Sequence, residues 1–403
     1  MVDKRAQLST PHALSGPTRT VTMTNDVRTG IGIWASRYLD PRGASEYAEA
    51  LEATGQIDQF VLWDQMTSWW PNSLWTPENT PLAAMIPDMD SLQDPFATAA
   101  FALAGVDRLG FAVCTDATRR EPAELAQTML TLAMATEGRA SLCLGAGEVR
   151  HIAPFGRKRS LGLKRLDETF QILRLLLKER DLVDFDGELW KLRDAWVGNA
   201  GKDRLPEVIA MGGGPKLTEM ALRYADGFGT GAPFVYADPD QYGQAIEGHR
   251  RTLTEIGRDP ESFTFALHHI VFILDEDDDF ERYVDSPLLK WYAATGGRIN
   301  MADWAPEGVE PVMPLDWHYA LHMKPNAMSP HDIAEIIDQV TPEMVRKTFF
   351  HGTPRQIADQ VRPFAEAGAS LNLIADLAPL LIPTDPKVTV EASAEICRLV
   401  KSG

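Results

Sequence analysis

EVIAMGGGPKLTEMALRYADGFGTG (207–231) decides the fold. A short apolar run ends in three glycines, Pro215 opens a segment of helical period, and a second run begins after Asp226. Strand, tight turn, helix and strand in that order form a parallel βαβ unit, because parallel neighbours need a crossover and a helix is the usual one. The same alternation recurs in both directions. Upstream lie GIGIW (30–34), FVLW (60–63), LGFAVC (109–114) and SLCLGAGE (141–148); downstream lie TFALHHIVFIL (264–274) and SLNLIAD (370–376). Helical segments separate them, one opened by Pro122 and closed near Gly138, another carrying Leu166, Phe170, Leu173 and Leu177 on one stripe. Eight such strands predict a (β/α)8 TIM barrel; a doubly wound sheet shares the alternation but rarely needs eight units.

One segment breaks the rhythm. VDFDGELWKL (183–192) joins two alternating runs at Asp186 and Gly187, which predicts an antiparallel hairpin inserted between units. The expected organisation is a flexible N-terminal extension, residues 1–27, and one barrel over 28–403. Insertions are expected at about 66–93, 181–200 and 283–350.

Composition narrows the function. The chain has 403 residues, 44% hydrophobic and 24% charged, as an ordinary globular protein does, and its net charge of −18 repels nucleic acid and anionic lipid. Three cysteines, Cys114, Cys143 and Cys397, are too few and too scattered for a disulfide framework or a zinc site. A reducing cytoplasm is expected, with no metal, no nucleic-acid partner and no transmembrane segment, since no apolar run is long enough to cross a bilayer.

In a barrel, the strands' C-terminal ends and the loops after them form the active face. Asp64, Thr115, Glu148 and Gly212–Gly214 fall there. Two of those loops, 66–93 and 283–350, exceed what a compact domain needs and hold six of the ten tryptophans: Trp69, Trp70, Trp75, Trp291, Trp304 and Trp317. They read either as an ordinary subsidiary core or as an apolar lid over the mouth, shaped for a bulky hydrophobic substrate. After the fifth strand, bare backbone N–H groups and a helix N-terminus converge on one spot, an anion cradle. Its spacing is not that of a dinucleotide or P-loop fingerprint. His268 and His269 lie on opposite faces of the seventh strand, so at most one looks inward.

PAELAQTMLTLAMATEGRASLCLGAGE with APFG, VDFDGELWKL, IAMGGGP with ALRYADGFG, and HGTPRQIADQV occur in this order over residues 30–402. Together they resemble the luciferase-like oxidoreductases, and within them the branch using coenzyme F420, a 5-deazaflavin hydride carrier, in particular the phthiodiolone ketoreductase-like enzymes. The resemblance implies a barrel, a homodimer, and a coenzyme held by Asp64, Thr115, Ala146, Gly147, His151, Gly212, Gly213, Gly214, Lys216 and Leu217. It also implies a cis peptide at Ala112–Val113 under the deazaflavin ring and an active-site glutamate at Glu148. Trp69, Trp70, Trp75, Trp317 and His322 are the substrate-binding candidates.

Where the family has a histidine after its aspartate, this chain has Gln65. A carboxamide does not titrate, so it can hold an oxygen but not deliver a proton as an acid. Glu148, Tyr38, His151, His318 and His322 are the remaining proton carriers, and Gln65, Glu148 and Tyr38 are the expected catalytic group. The expected reaction is hydride transfer between deazaflavin C5 and a carbonyl or activated double bond of an apolar substrate. An FMN-dependent monooxygenase is the alternative, and a coenzyme-binding barrel without turnover the second. A sugar-phosphate dehydrogenase is disfavoured, because Tyr38 and the loop after Gly231 lack that group's acidic and lysine residues.

Overall fold

β-branched and aromatic residues concentrate where the strands lie. A computed structural model describes residues 27–402, and in it eight parallel strands run β1 (Arg28–Ile33), β2 (Gln59–Trp63), β3 (Gly110–Asp116), β4 (Ala140–Gly145), β5 (Glu207–Met211), β6 (Gly227–Ala232), β7 (Thr264–Ile273) and β8 (Leu371–Asp376). Each pairs with the next, and β8 pairs with β1 through Arg28↔Leu371 and Ile31↔Ile374, which closes the barrel. The expected extension, residues 1–27, lies outside the described residues except for Val27.

Prolines set where the outer helices begin. Six outer helices start on one (Pro95, Pro122, Pro215, Pro239, Pro354 and Pro386), where the missing N–H costs no hydrogen bond. Asp94, Asp238 and Asp385 cap three of them, and Thr353 with Gln356 forms a reciprocal capping box. The main core lies between these helices and the outer strand faces. The barrel interior is plugged by a smaller cluster, Val61, Ala112, Cys143, Ile209, Ala266, Leu371 and Leu373. Trp63 also turns inward. Its ring fills the space a Cβ at Gly32 would need, 2.0 Å away, which explains the glycine inside β1.

The hairpin forms between Val183–Asp186 and Lys191–Ala195. Its turn is held by the buried Glu168 carboxylate, which accepts from the backbone N–H of Glu188, Leu189 and Trp190. At the barrel's other end, Arg28, Ser141 and Thr264 all reach Glu207, a polar knot far from the mouth. A short strand, Phe350–Gly352, adds to the outer end of β7.

The peptide expected to be cis is not. Ala112–Val113 is trans, and the cis bond among the described residues precedes Pro233. Both residues lie in an unbroken ladder, Ala112 between Val61 and Ser141 and Val113 between Leu62 and Leu142.

Candidate active site

The C-terminal ends of all eight strands open into a single cavity of about 580 Å³. Asp64 follows β2 at its edge. One carboxylate oxygen accepts from Thr115 Oγ1 at 2.6 Å and Arg120 Nε at 2.8 Å, the other from Arg119 Nη1 at 3.1 Å. Burial alone would raise this carboxyl; the hydrogen bond from Arg120 and the charges of both arginines outweigh it, and the group sits below the usual carboxylate range. Asp64 is thus a fixed anion, with its lone pairs largely spent on Thr115, Arg119 and Arg120.

β4 delivers the next set. Gly147 takes φ +87°, and a Cβ there would lie 2.3 Å from Ile152 Cδ1, so the turn into the short helix Val149–Ile152 requires glycine. Beyond it, Glu148 faces the cavity and pairs with Arg150, Nε to Oε2 2.7 Å. Arg150 is 2% exposed, donates to the Thr67 carbonyl and lies 5.0 Å over the Trp69 ring. His151 Nδ1 accepts from the backbone N–H of Met66 and Thr67, which leaves the ring proton on Nε2, 3.9 Å from Glu148. Burial, with the Arg150 and Arg119 charges nearby, holds His151 well below the ordinary imidazole range, so it is a neutral N–H donor. Gln65 lines the same wall, and its side-chain amide has no partner among the described residues.

The floor carries two orphaned polar atoms. Thr230 Oγ1 and His268 Nε2 are buried, line the cavity and have no hydrogen-bond partner among the described residues. Burial pushes His268 down to about 3, so its ring is neutral. His269 points outward to Asn372 Oδ1 at 2.9 Å, as strand alternation requires. On the far side, Gly212, Gly213, Gly214, Lys216 and Leu217 line the cavity at the N-terminus of helix Pro215–Tyr224. Gly213 is packed under Ile299 and Val235, whereas Gly214 has open space in front of it.

The two long insertions meet over the mouth in a second apolar core. Trp69 is its hinge-pin: Nε1 donates to Thr295 Oγ1, its carbonyl accepts from Trp291 Nε1, and its ring packs 5.2 Å from Tyr292 and 5.1 Å from Tyr319. Trp70 is fully buried behind it, with Nε1 donating to the Leu288 carbonyl. Trp69, Trp70, Tyr292, Phe234 and Tyr319 therefore wall the cavity. Neither tyrosine hydroxyl has a hydrogen-bond partner among the described residues.

Six expected positions do not reach this cavity. Tyr38 is 48% exposed and donates to Asp88, because the chain after β1 leaves the mouth to bridge Ser36 to Leu92 in the first insertion. Ala112 packs in the barrel plug below the cavity, and Val113 faces the helices. Trp75 is buried within the lid, donating to the Ile86 carbonyl; Trp317 donates to the Thr295 carbonyl and packs on exposed His322. Tryptophan count signals a core, not which side of it faces a ligand. The residues that sequence reasoning passed over are Arg119, Arg120, Arg150, Arg159, Tyr292 and Tyr319. The Arg119–Arg120 doublet directly after a barrel strand was the readable signal; the tyrosines had none.

Residues 29–371 match the family described as luciferase-like monooxygenase. A phthiodiolone/phenolphthiodiolone dimycocerosates ketoreductase of Mycobacterium kansasii is 29% identical over 322 residues, 79% of this chain and 86% of the relative. An F420-dependent glucose-6-phosphate dehydrogenase of Kineococcus radiotolerans is 27% identical over 274 residues, 65% of this chain and 69% of that one. Among solved structures, an F420-dependent secondary alcohol dehydrogenase in complex with an F420–acetone adduct superposes with a TM-score of 0.67 at 18% identity, covering 93% of this chain and 99% of that chain. The expected (β/α)8 barrel is borne out.

Proposed function

The chain belongs to the luciferase-like monooxygenase family and is an oxidoreductase, and from that premise we propose that it depends on coenzyme F420 and acts on a carbonyl or activated double bond of a bulky apolar substrate. The observation that carries this reading is that one cavity joins the Gly212–Gly214 turn and the Gln65–Glu148 wall under an aromatic lid. A heteroatom-rich ring system fits the cavity's chemistry. Thr230 Oγ1 and His268 Nε2 are left without partners in the floor, and such a ring offers partners to both. Ala146, Gly147, Thr115 and neutral His151 would hold the ring side, and Gly214 with Lys216 an anionic end at the helix N-terminus. When bound, a reduced deazaflavin supplies a hydride.

The chain's own groups do the rest. Gln65 can donate its amide N–H to a substrate oxygen, and the Glu148–Arg150 pair fixes a carboxylate beside it. The walls of Trp69, Tyr292, Phe234 and Tyr319 exclude water and suit an apolar body. Titrating the protein with F420 and with FMN, followed by fluorescence, tests the reading. Expected is a micromolar or tighter Kd for F420, with FMN weaker by about tenfold or more. Equal or tighter FMN binding moves the chain to the FMN-dependent monooxygenases, and binding without turnover of any ketone or alcohol moves it to a non-catalytic barrel.

A further inference from the structure

Around the cavity the arginines come with their anions. Arg119 pairs with Asp64 and Asp116, Arg120 with Asp64 and Asp94, and Arg150 with Glu148. Arg159, on the turn Arg159–Leu161, is the exception among the half-buried arginines of the cavity lining. No carboxylate of the described residues lies within ion-pair distance of it, none of its guanidinium nitrogens has a hydrogen-bond partner there, and its Nε is shut off from solvent. A guanidinium cannot shed its charge in a protein, so a desolvated and unpaired one is costly unless an anion arrives. Burial works in that direction here, holding Arg159 below its ordinary value against the weaker pull of Tyr319, Glu148 and Asp116.

The groups that interact with Arg159 across the cavity are also donors. His318 Nδ1 accepts from the Ala320 N–H at 3.2 Å, which leaves its proton on Nε2. Tyr319 presents an unpartnered hydroxyl, and both residues line the cavity. The nearby carboxylates already have cationic partners of their own, Glu148 in Arg150 through Oε2 and Asp116 in Arg119. A guanidinium fork, an imidazole N–H and a phenol O–H, with an apolar wall of Trp69 and Phe234 beside them, make a donor-rich site whose nearby carboxylate, Glu148, is already held by Arg150.

We infer that Arg159, with His318 and Tyr319, binds the carboxylate of an amphiphilic substrate whose apolar part lies against the lid. The inference rests on reading the cavity as the substrate site. It narrows the substrate class from a neutral hydrophobic ketone to an apolar molecule carrying an acid. An oxyanion could also come from the coenzyme's own phosphate, and the test separates the two sources.

Decanoate and its neutral analogue decanamide are titrated into the full chain without coenzyme, reading tryptophan fluorescence and heat. Decanoate should bind about tenfold or more tightly than decanamide. Arg159→Gln should abolish that preference while leaving decanamide affinity unchanged, and Arg159→Lys should keep part of it. Circular dichroism and Tm confirm that the variants fold. Equal affinity for acid and amide, or a preference that survives Arg159→Gln, overturns the inference. So does an Arg159→Gln variant that loses F420 affinity but keeps its acid preference, since the anion would then be the coenzyme's. Because the acid preference is read without coenzyme, it stands or falls independently of whether F420 or FMN binds.

Discussion

Arg150 is almost wholly buried, and its Nε lies 2.7 Å from Glu148 Oε2, so the carboxylate that faces the cavity is also the counter-ion of an interior cation. Function and stability are coupled at this pair. Glu148→Gln should lower turnover about tenfold or more, and should also cost about 1–3 kcal/mol, discounted for Glu148 being partly exposed. The double variant Glu148→Gln/Arg150→Gln should recover much of the Tm but none of the activity. A single variant that loses Tm and keeps full turnover would remove Glu148 from the chemistry.

Gln65 has a free amide facing the cavity, where the family places a titrating group. Gln65→Ala should reduce activity modestly, and Gln65→His should accelerate carbonyl reduction by supplying an acid that ionises near neutrality. Single-turnover rates across pH decide it. A new ionisation with the faster rate on its acidic side supports the expectation, whereas an unchanged profile and an unchanged or slower rate means that the proton comes from elsewhere.

The lid tryptophans should separate by location. Trp69 touches the cavity, so Trp69→Phe should raise KM for an apolar ketone with little change in coenzyme affinity. Trp75 is buried away from it, and Trp75→Ala should cost about 3–5 kcal/mol of stability with KM unchanged in the folded fraction. Denaturant unfolding and steady-state kinetics on the same preparations check both, and a Trp75→Ala variant with altered KM and native stability contradicts this placement.

Asp376 ends β8, accepts from the backbone N–H of Ile273 and Ala378, and is pushed up to about 7 by burial, with those two hydrogen bonds pulling the other way. Its folded value lies above the unfolded one of roughly 4, so the folded state holds the extra proton between them. Stability from this group is therefore present at low pH and falls as pH rises toward 7. Asp376→Asn keeps the acceptor oxygen and removes the charge. Its stability relative to the native chain should improve by about 1.4 kcal/mol for each pH unit between roughly 4 and 7, then level off. A difference that does not vary with pH would falsify the assignment.

Much of the scaffold is written locally. Each strand is a short apolar run bounded by glycine or a capping residue, and Asp186–Gly187 marks the hairpin, because strand and turn chemistry act over a few residues. Asp64, Gln65, Glu148 and Gly214 were readable for the same reason, as polar residues or glycines at strand ends. Tyr38 was misplaced because only tertiary contact, Ser36 with Leu92, tells which way the chain turns after β1. Arg159, Tyr292 and Tyr319 reach the cavity from segments whose position depends on packing between insertions far apart in sequence. The Ala112–Val113 expectation came from resemblance and had no support in its own residues.

The indole bonds that join the insertions also constrain how the chain is made. Trp69 and Trp70 bond to Trp291 and Leu288, 222 and 218 positions later. At usual translation speeds, roughly 10–45 s pass between the emergence of these partners. Through that interval two adjacent tryptophans have no lid to enter. Until the last third of the chain is synthesised, the two indoles thus lack the partners that bury them in the folded protein.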